Sequence, residues 1–156
     1  MDLICEALDS DVVAALRAGG PDAYGRPAER GAVSDGAGVP CRHCLHDVPA
    51  GREYLILAHR PFPEPQPYAE TGPIFLCADD CPRWQSAGVP PVLKTSPDYL
   101  LKGYSAGHRI VYGTGRVVPA GEVPAYAGQA LDDPRVAFVD VRSARNNCFL
   151  LRLRRA

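Results

Sequence analysis

Four of the six cysteines in this chain lie in two short windows. Cys41 and Cys44 are separated by two residues, and Cys77 and Cys81 are separated by three. A two-residue gap allows one tight turn to aim both sulfur atoms at a single point, as a tetrahedral metal ion requires. The two windows therefore predict one metal site with four sulfur ligands, and zinc is the metal that such a set typically holds.

Two other interpretations of these cysteines remain open. The gap between Cys41 and Cys44 also suits dithiol redox chemistry, although no βαβ pattern surrounds the pair. Reduced thiols without a metal are the third interpretation, because unpaired cysteine is among the most frequently buried residue types. His43 and His46 lie beside the first pair and are alternative nitrogen ligands.

If zinc is bound, four thiolates fill its coordination shell and leave no position for water. A saturated shell is typical of structural zinc, whereas catalytic zinc keeps one position open. We therefore expect the metal to stabilise the fold and any catalysis to take place elsewhere in the protein.

Candidate catalytic residues are found outside the two cysteine windows. Nucleophilic catalysis needs a thiolate, a base within hydrogen-bond reach and donors for a developing oxyanion. Cys148, His108 and Arg142 are the residues that could fill these three roles. The competing interpretation makes Cys148 a buried structural residue of a strand.

Candidate ligand-binding residues are Arg42, Glu70 and Tyr104. Arg42 and Arg142 could together bind a carboxylate or a phosphate, because guanidinium groups form bidentate hydrogen bonds with both. We expect Arg42, Arg142 and Cys148 to approach a common pocket, with His108 as the base if it comes within one water molecule of the thiol.

Strand patterns dominate the part of the chain that must position these residues. Residues 53–59 are aliphatic and β-compatible, and residues 73–77 form a second apolar run that ends at a candidate ligand. The remaining strand patterns are residues 99–104 and 109–113, which read as a hairpin around a four-residue turn, and residues 135–141 and 148–153, which read as a closing pair.

Helix signals are confined to two short segments. One begins at residues 9–11 and ends at the glycines that follow, and the other covers residues 122–131. Residues 21–39 are rich in glycine and lack apolar periodicity, so they predict an irregular arm. The sequence thus predicts an α+β fold with a mainly antiparallel sheet and about two short helices. We expect one globular unit, with the helix and arm in residues 1–38 and the zinc-stabilised α+β domain in residues 39–156.

Composition excludes several classes of function. The chain has 17 basic and 18 acidic residues and a formal net charge of −1, so it lacks the positive surplus typical of nucleic-acid binding. No apolar run approaches the roughly 20 residues of a membrane helix, and Asp2 and Glu6 stand where a signal peptide would be positive. We expect a cytoplasmic protein with no nucleic-acid or membrane partner. Its small-molecule or protein partner is not specified by any motif.

Several segments, taken in order, resemble a known family. They are Pro40-Cys41-Arg42-His43-Cys44-Leu45, residues 51–62, residues 68–75, Lys102-Gly103-Tyr104 and residues 141–149. These segments resemble the family called domain of unknown function 1203, and within it the subgroup with a Cys-Arg-His-Cys turn. In that subgroup histidine often stands at the place of Cys77, and cysteine and histidine are interchangeable zinc ligands. The resemblance implies no reaction, and many members differ at the places of Cys44 and Cys81.

Two functions from different classes fit these observations. The first is a small zinc-stabilised domain that binds a small polar or anionic ligand or a protein partner. The second is a small enzyme that acts on a compact anionic metabolite, with Cys148, His108 and Arg142 in its site. A concave pocket that joins those residues would favour the enzyme, and a flat apolar patch would favour the partner module.

Overall fold

The computed structural model describes residues 2–156, which fold as one α+β domain with eight antiparallel strands in two sheets. The strands are β1 (Leu3–Glu6), β2 (Glu29–Val33), β3 (Glu53–His59), β4 (Gly72–Cys77), β5 (Asp98–Tyr104), β6 (Arg116–Pro119), β7 (Phe138–Ser143) and β8 (Phe149–Arg155). The larger sheet has the order β1-β8-β7-β5-β6, and the smaller sheet has the order β2-β3-β4. The predicted fold class, α+β and mainly antiparallel, is confirmed.

Two α-helices complete the fold, α1 (Ser10–Arg17) and α2 (Val123–Leu131). Asp11 in the first turn of α1 and Arg17 in its last turn both complement the helix dipole. Gly19 follows with a φ of +91°, a conformation that ends helices and favours glycine. Both helices were predicted from the sequence, and within residues 2–156 neither is long and apolar enough to cross a membrane.

The larger sheet has one apolar face and one charged face. On the apolar face, fully buried Leu101, Val139 and Leu151 pack in one cluster with residues of α2. Side chains alternate between the two faces of a strand, so the neighbouring positions point away from α2. Those positions carry charged residues, namely Lys102, Asp140, Arg142 and Arg152.

The smaller sheet packs with α1 in a second core. Val13 and Leu16 of α1 lie in one cluster with Leu55 and Leu76 of the small sheet and with Phe149 of β8. Cys41, Cys44 and Cys77 belong to the same cluster. The cysteine turn is therefore held between α1 and the small sheet, and Phe149 links this core to the larger sheet.

Two predicted elements differ from the structure. Residues 109–113 do not form a strand, and β5 pairs instead with β6 and β7. A hairpin begins there, because Val111 N donates to Gly103 O at 2.9 Å, but Gly113 has a φ of +96° and turns the chain away. The hydroxyl of Thr114 then accepts the Gly103 N–H at 2.9 Å, which interrupts the ladder.

The second difference concerns the predicted irregular arm. Residues 21–39 contain β2, which pairs antiparallel with β3. The ladder shifts register between Glu29 and Ala32, and this bulge removes the regular alternation by which a strand is recognised from sequence. Strands β1 and β6 are short and were also missed, whereas the closing pair predicted near the end of the chain is present as β7 and β8.

Candidate functional site

The four clustered cysteines form a candidate metal centre. Their Sγ atoms all lie within 4.8 Å of one another, and the thiols are free. The Sγ atoms of Cys41 and Cys81 are 3.9 Å apart, and tetrahedral zinc with Zn–S bonds of about 2.3 Å places its ligand sulfurs about 3.8 Å apart. The soft donor set and its close spacing are therefore suited to holding a metal ion.

A tight turn aims the first pair of thiols. Cys41 N donates to His46 O at 2.9 Å, and Leu45 N donates to Cys41 O at 3.0 Å. Leu45 adopts a left-handed conformation with a φ of +56°, which closes the turn. The backbone N–H of Cys77, at the end of β4, points at the Sγ atom of Cys41 at 3.3 Å, so β4 delivers the second pair to the first.

Two residues around the cluster lie within hydrogen-bond distance of one of its sulfur atoms. Arg17 Nη2 lies 3.1 Å from the Sγ atom of Cys81, and His43 Nδ1 lies 3.3 Å from the same atom. The other ring nitrogen of His43 lies 2.9 Å from the hydroxyl of Ser10. If a divalent ion were held by four thiolates, the site would retain a negative charge, which the guanidinium of Arg17 would partly offset.

The two histidines considered as alternative ligands have other partners. His43 contacts the thiol of Cys81 at hydrogen-bond distance, and His46 Nδ1 donates to the carbonyl oxygen of Cys44 at 2.9 Å. The set of ligand atoms that converge on one point therefore consists of sulfur atoms.

The four thiols also control one another's ionisation. Hydrogen bonds from Cys44 and Cys77 lower the pKa of Cys41 to about 6, and hydrogen bonds from Cys41 and its neighbours lower the pKa of Cys81 further. The pKa values of Cys44 and Cys77 are raised, in each case chiefly by the hydrogen bond to Cys41. All four can become thiolates together when a cation lies between them, because a metal ion stabilises every negative charge at once.

A second candidate site is a cavity of about 180 Å³ between the β7–β8 turn and the adjoining ends of β3 and β4. Glu70 lines this cavity and accepts hydrogen bonds from two neighbouring side chains. Lys102 Nζ donates to Oε1 at 2.7 Å, and Asn147 Nδ2 donates to Oε2 at 3.0 Å. Burial opposes ionisation of Glu70, but Lys102, Arg142 and Asn147 together hold the pKa of this carboxyl below its usual range. The remaining lining residues are His59, Thr71, Gly72, Pro73, Arg142, Asn146, Cys148 and Phe149.

Arg142 is the most unusual residue in this wall. Its side chain is 3% exposed, and Nη1 bonds the Glu70 carboxylate at 3.1 Å and the Asn147 carbonyl oxygen at 3.0 Å. Its Nε and Nη2 atoms are buried and have no hydrogen-bond partner within the part of the chain that the structure describes. Unsatisfied donors of a buried charged group are rare in folded proteins and call for a partner.

Arg42 does not line the cavity but is bonded to Phe149, which does. It is 2% exposed, and it donates to the carbonyl oxygens of Phe149 at 2.7 Å and Pro40 at 2.6 Å. Among residues 2–156, no carboxylate lies within ion-pair distance of its guanidinium. Burial lowers the pKa of Arg42 to about 10, although negative charge on Cys148, on Cys41 or on Asp47 opposes that shift.

His59, at the end of β3, is the histidine that lines the cavity. Its ring lies 5.4 Å from that of Phe149. Burial, together with the positive charges of Arg42, Arg152 and Arg142, lowers the pKa of His59 to about 4. The imidazole is therefore neutral at physiological pH and a weak proton acceptor.

The residues expected at the second site are divided between two places. Arg142, Glu70 and Cys148 line one cavity, and Arg42 bonds the carbonyl oxygen of Phe149 in its wall. Tyr104 does not line the cavity and is fully buried with Phe62 and Phe138, where desolvation raises the pKa of its hydroxyl to about 12, although the neighbouring Arg142 opposes that shift. His108 lies in the turn after β5 with a φ of +62°, and its ring contacts Phe62 and Phe138, outside the cavity lining.

Sequence reasoning missed several residues of these sites. Asp140 forms a bidentate pair with Arg152 at 2.6 and 3.0 Å beside the cavity residues, and Lys102 and His59 were not singled out. Strand alternation along β7 would have found Asp140, because Val139 and Val141 flank it and point the other way. Arg17 gives no such signal, since its role depends on how α1 docks.

No curated protein and no solved structure matches the chain. A family sequence profile matches residues 38–155, which contain the cysteine cluster and the cavity but exclude α1. The chain therefore belongs to the family described as protein of unknown function, DUF1203.

Proposed function

We propose that the protein is a zinc-stabilised domain that binds a small anionic ligand in the cavity at Arg142. Zinc would be held by Cys41, Cys44, Cys77 and Cys81, and its saturated shell would make it structural. Metal bound there ties the turn before β3 to the end of β4, so part of the binding energy becomes folding energy.

The observation that carries the anion site is the state of Arg142. Arg142 lines the cavity, is almost fully buried and has two N–H groups without a hydrogen-bond partner among the described residues, and such a guanidinium is suited to bonding an oxyanion. Its carboxylate partner, Glu70, is shared with Lys102, so Glu70 alone does not balance both cations. Arg42 adds a further positive charge that has no carboxylate partner among the described residues.

The size of the cavity limits the ligand. A volume of about 180 Å³ corresponds to roughly six water molecules at their share of liquid volume, about 30 Å³ each. Inorganic oxyanions and carboxylic acids with about two to four carbons fall in this range. A concave polar site of this kind favours a small ligand over a protein partner.

Binding can be tested with defined probes. Metal-loaded protein would be titrated with sodium sulfate, phosphate, acetate and malonate at constant ionic strength, with melting temperature and amide chemical shifts as readouts. We expect saturable stabilisation by at least one probe, because a ligand that binds only the folded state raises its stability. Shifts should be centred on Asn147 and Glu70.

The Arg142→Gln variant should lose the response, and Arg145→Gln is the matched control. Arg145 lies in the same turn, but its side chain is exposed and pairs with Asp98 at 2.7 Å. Equal stabilisation of the wild type and both variants would show that the anions act through general ionic effects, and it would overturn the proposed site.

A further inference from the structure

We propose that Cys148 is a nucleophile, and that Arg142 directs it toward small carboxylates that bear an electrophilic carbon. This inference rests on the proposed anion site and deepens it, because it names the substrate class and the reaction. Cys148 and Arg142 line the same cavity of about 180 Å³. A ligand whose carboxylate bonds Arg142 therefore has only a few atoms between that group and the thiol.

Cys148 is the thiol in this part of the fold that is free to react. It stands apart from the four cysteines of the metal centre. Its side chain is partly exposed, and its Sγ atom has one weak contact, 3.7 Å to the carbonyl oxygen of Asn146. Cys5, the sixth cysteine, lies among apolar residues, where burial raises the pKa of its thiol to about 11 and suppresses its reactivity.

Two buried guanidinium groups lie close to this thiol. The sulfur of Cys148 is the nucleophile, and Arg42 bonds the carbonyl oxygen of its neighbour Phe149 at 2.7 Å. Arg142 supplies a second cation in the same wall. His59 is neutral and weakly basic, so the thiol proton leaves to water and not to this imidazole.

The reaction is a displacement at carbon. An electron pair of the Cys148 sulfur forms an S–C bond to the carbon next to the carboxylate, and the bond from that carbon to its leaving group breaks. The leaving group departs as an anion with the bonding electrons, and the product is an S-carboxyalkyl cysteine. No oxidant or further reactant takes part.

The test compares two alkylating reagents of the same size and different charge. Iodoacetate carries the carboxylate, and iodoacetamide replaces it by a neutral amide. Metal-loaded protein would be treated with each reagent, and modification of Cys148 would be followed by peptide mass spectrometry. The rate ratio, iodoacetate over iodoacetamide, would be divided by the ratio for a short unfolded peptide that contains Cys148.

We expect this normalised ratio to exceed about 10, equivalent to about 1.4 kcal/mol of preference for the carboxylate. Arg142→Gln should bring the ratio close to 1, and Arg145→Gln should leave it high. If Arg142→Gln fails to fold, competition in the wild type replaces it. Sodium malonate should then slow the reaction with neutral iodoacetamide in a saturable manner, and an unchanged rate would overturn the inference.

Failure of this inference can be separated from failure of the anion site. The Cys148→Ser variant keeps Arg142 and should still be stabilised by the anions that stabilise the wild type. Retained anion binding with a normalised ratio near 1 would overturn the nucleophile and leave the anion site intact. If the folded wild type shows neither anion binding nor a preference for iodoacetate, the anion site and the nucleophile would both be overturned.

Discussion

The Nη2 atom of Arg17 lies 3.1 Å from the Sγ atom of Cys81. The same guanidinium donates from Nε to the carbonyl oxygen of Cys77 at 3.0 Å, so one side chain holds the second cysteine pair. Arg17 ends α1, which precedes the residues 38–155 that match the family. The shell around the candidate metal centre therefore includes a helix that the family profile does not cover.

Replacing Arg17 by glutamine should make the metal easier to remove. Loss of a hydrogen-bond donor to a ligand typically reduces metal affinity by about 10- to 100-fold. Transfer of zinc from Arg17→Gln to a chromogenic chelator should accordingly be about tenfold faster or more. The matched control is Arg52→Gln, because Arg52 is exposed and pairs only with Asp79 at 3.8 Å. If both variants release zinc at the same rate, the contact with Cys81 does not retain the metal.

Replacing Cys44 by serine should destabilise the fold strongly. Removal of one ligand weakens the binding of a metal whose binding energy contributes to folding. We therefore expect the free energy of unfolding to fall by about 4 kcal/mol or more. Melting temperature and urea unfolding would measure the loss, and a chelator should reproduce it in the wild type. Cys148→Ser, outside the cluster, should melt close to the wild type. A Cys44→Ser variant with wild-type stability would mean that no metal supports this turn.

The neutral state of His59 predicts a dependence of stability on pH. The folded pKa is about 4, below the usual 6.5, so between these values the unfolded chain binds a proton that the folded chain does not. The contribution of His59 to the free energy of unfolding has its full value above pH 6.5 and is lost as pH falls toward 4. We expect the free energy of unfolding to decrease by about 2 kcal/mol between pH 7 and pH 5 through His59 alone.

Urea unfolding of the wild type and of His59→Asn at both pH values isolates this contribution. The variant lacks the imidazole, so its loss of stability between pH 7 and pH 5 should be about 2 kcal/mol smaller than that of the wild type. Equal losses in the two proteins would show that His59 is not held in its neutral form by Arg42, Arg142 and Arg152.

The buried pair on the charged face of the larger sheet should be sensitive to the loss of one partner. Asp140 is fully buried, and its carboxylate receives two hydrogen bonds from Arg152. Asp140→Ala would leave a buried guanidinium uncompensated, which typically costs about 3–5 kcal/mol.

Asp98→Ala is the comparison for that prediction. Asp98 pairs with the exposed Arg145, and exposed pairs contribute about 1 kcal/mol or less. Chemical denaturation should separate the two variants by about 2 kcal/mol or more. Similar losses in both would indicate that Asp140 is already protonated or solvated in the folded protein.

The cysteine cluster was predictable because its spacing is local. Two short windows place each pair on one turn, and the strand that ends at Cys77 was visible as an apolar run. The α+β class was likewise accessible, since strands such as residues 53–59 and helices such as residues 122–131 have clear periodicity. These features depend on neighbours in the sequence.

The features of the fold and of the sites that the sequence did not predict depend on contacts between distant segments. Nothing near Arg17 in the sequence indicates that its guanidinium reaches Cys81, and nothing near His59 indicates that distant arginines surround it. The strand predicted at residues 109–113 does not form, because the side chain of Thr114 takes the hydrogen bond that a strand would have made. His108 was expected beside Cys148, but this turn places its ring against Phe62 and Phe138.

X-ray absorption at the zinc edge would show whether the four cysteines hold one zinc ion. The protein would be purified without a histidine tag and measured as isolated. We expect about one zinc per chain in a shell of four sulfur atoms at about 2.3 Å, with no nitrogen or oxygen ligand. Protein that contains no zinc, or a shell in which nitrogen or oxygen replaces a sulfur atom, would contradict it.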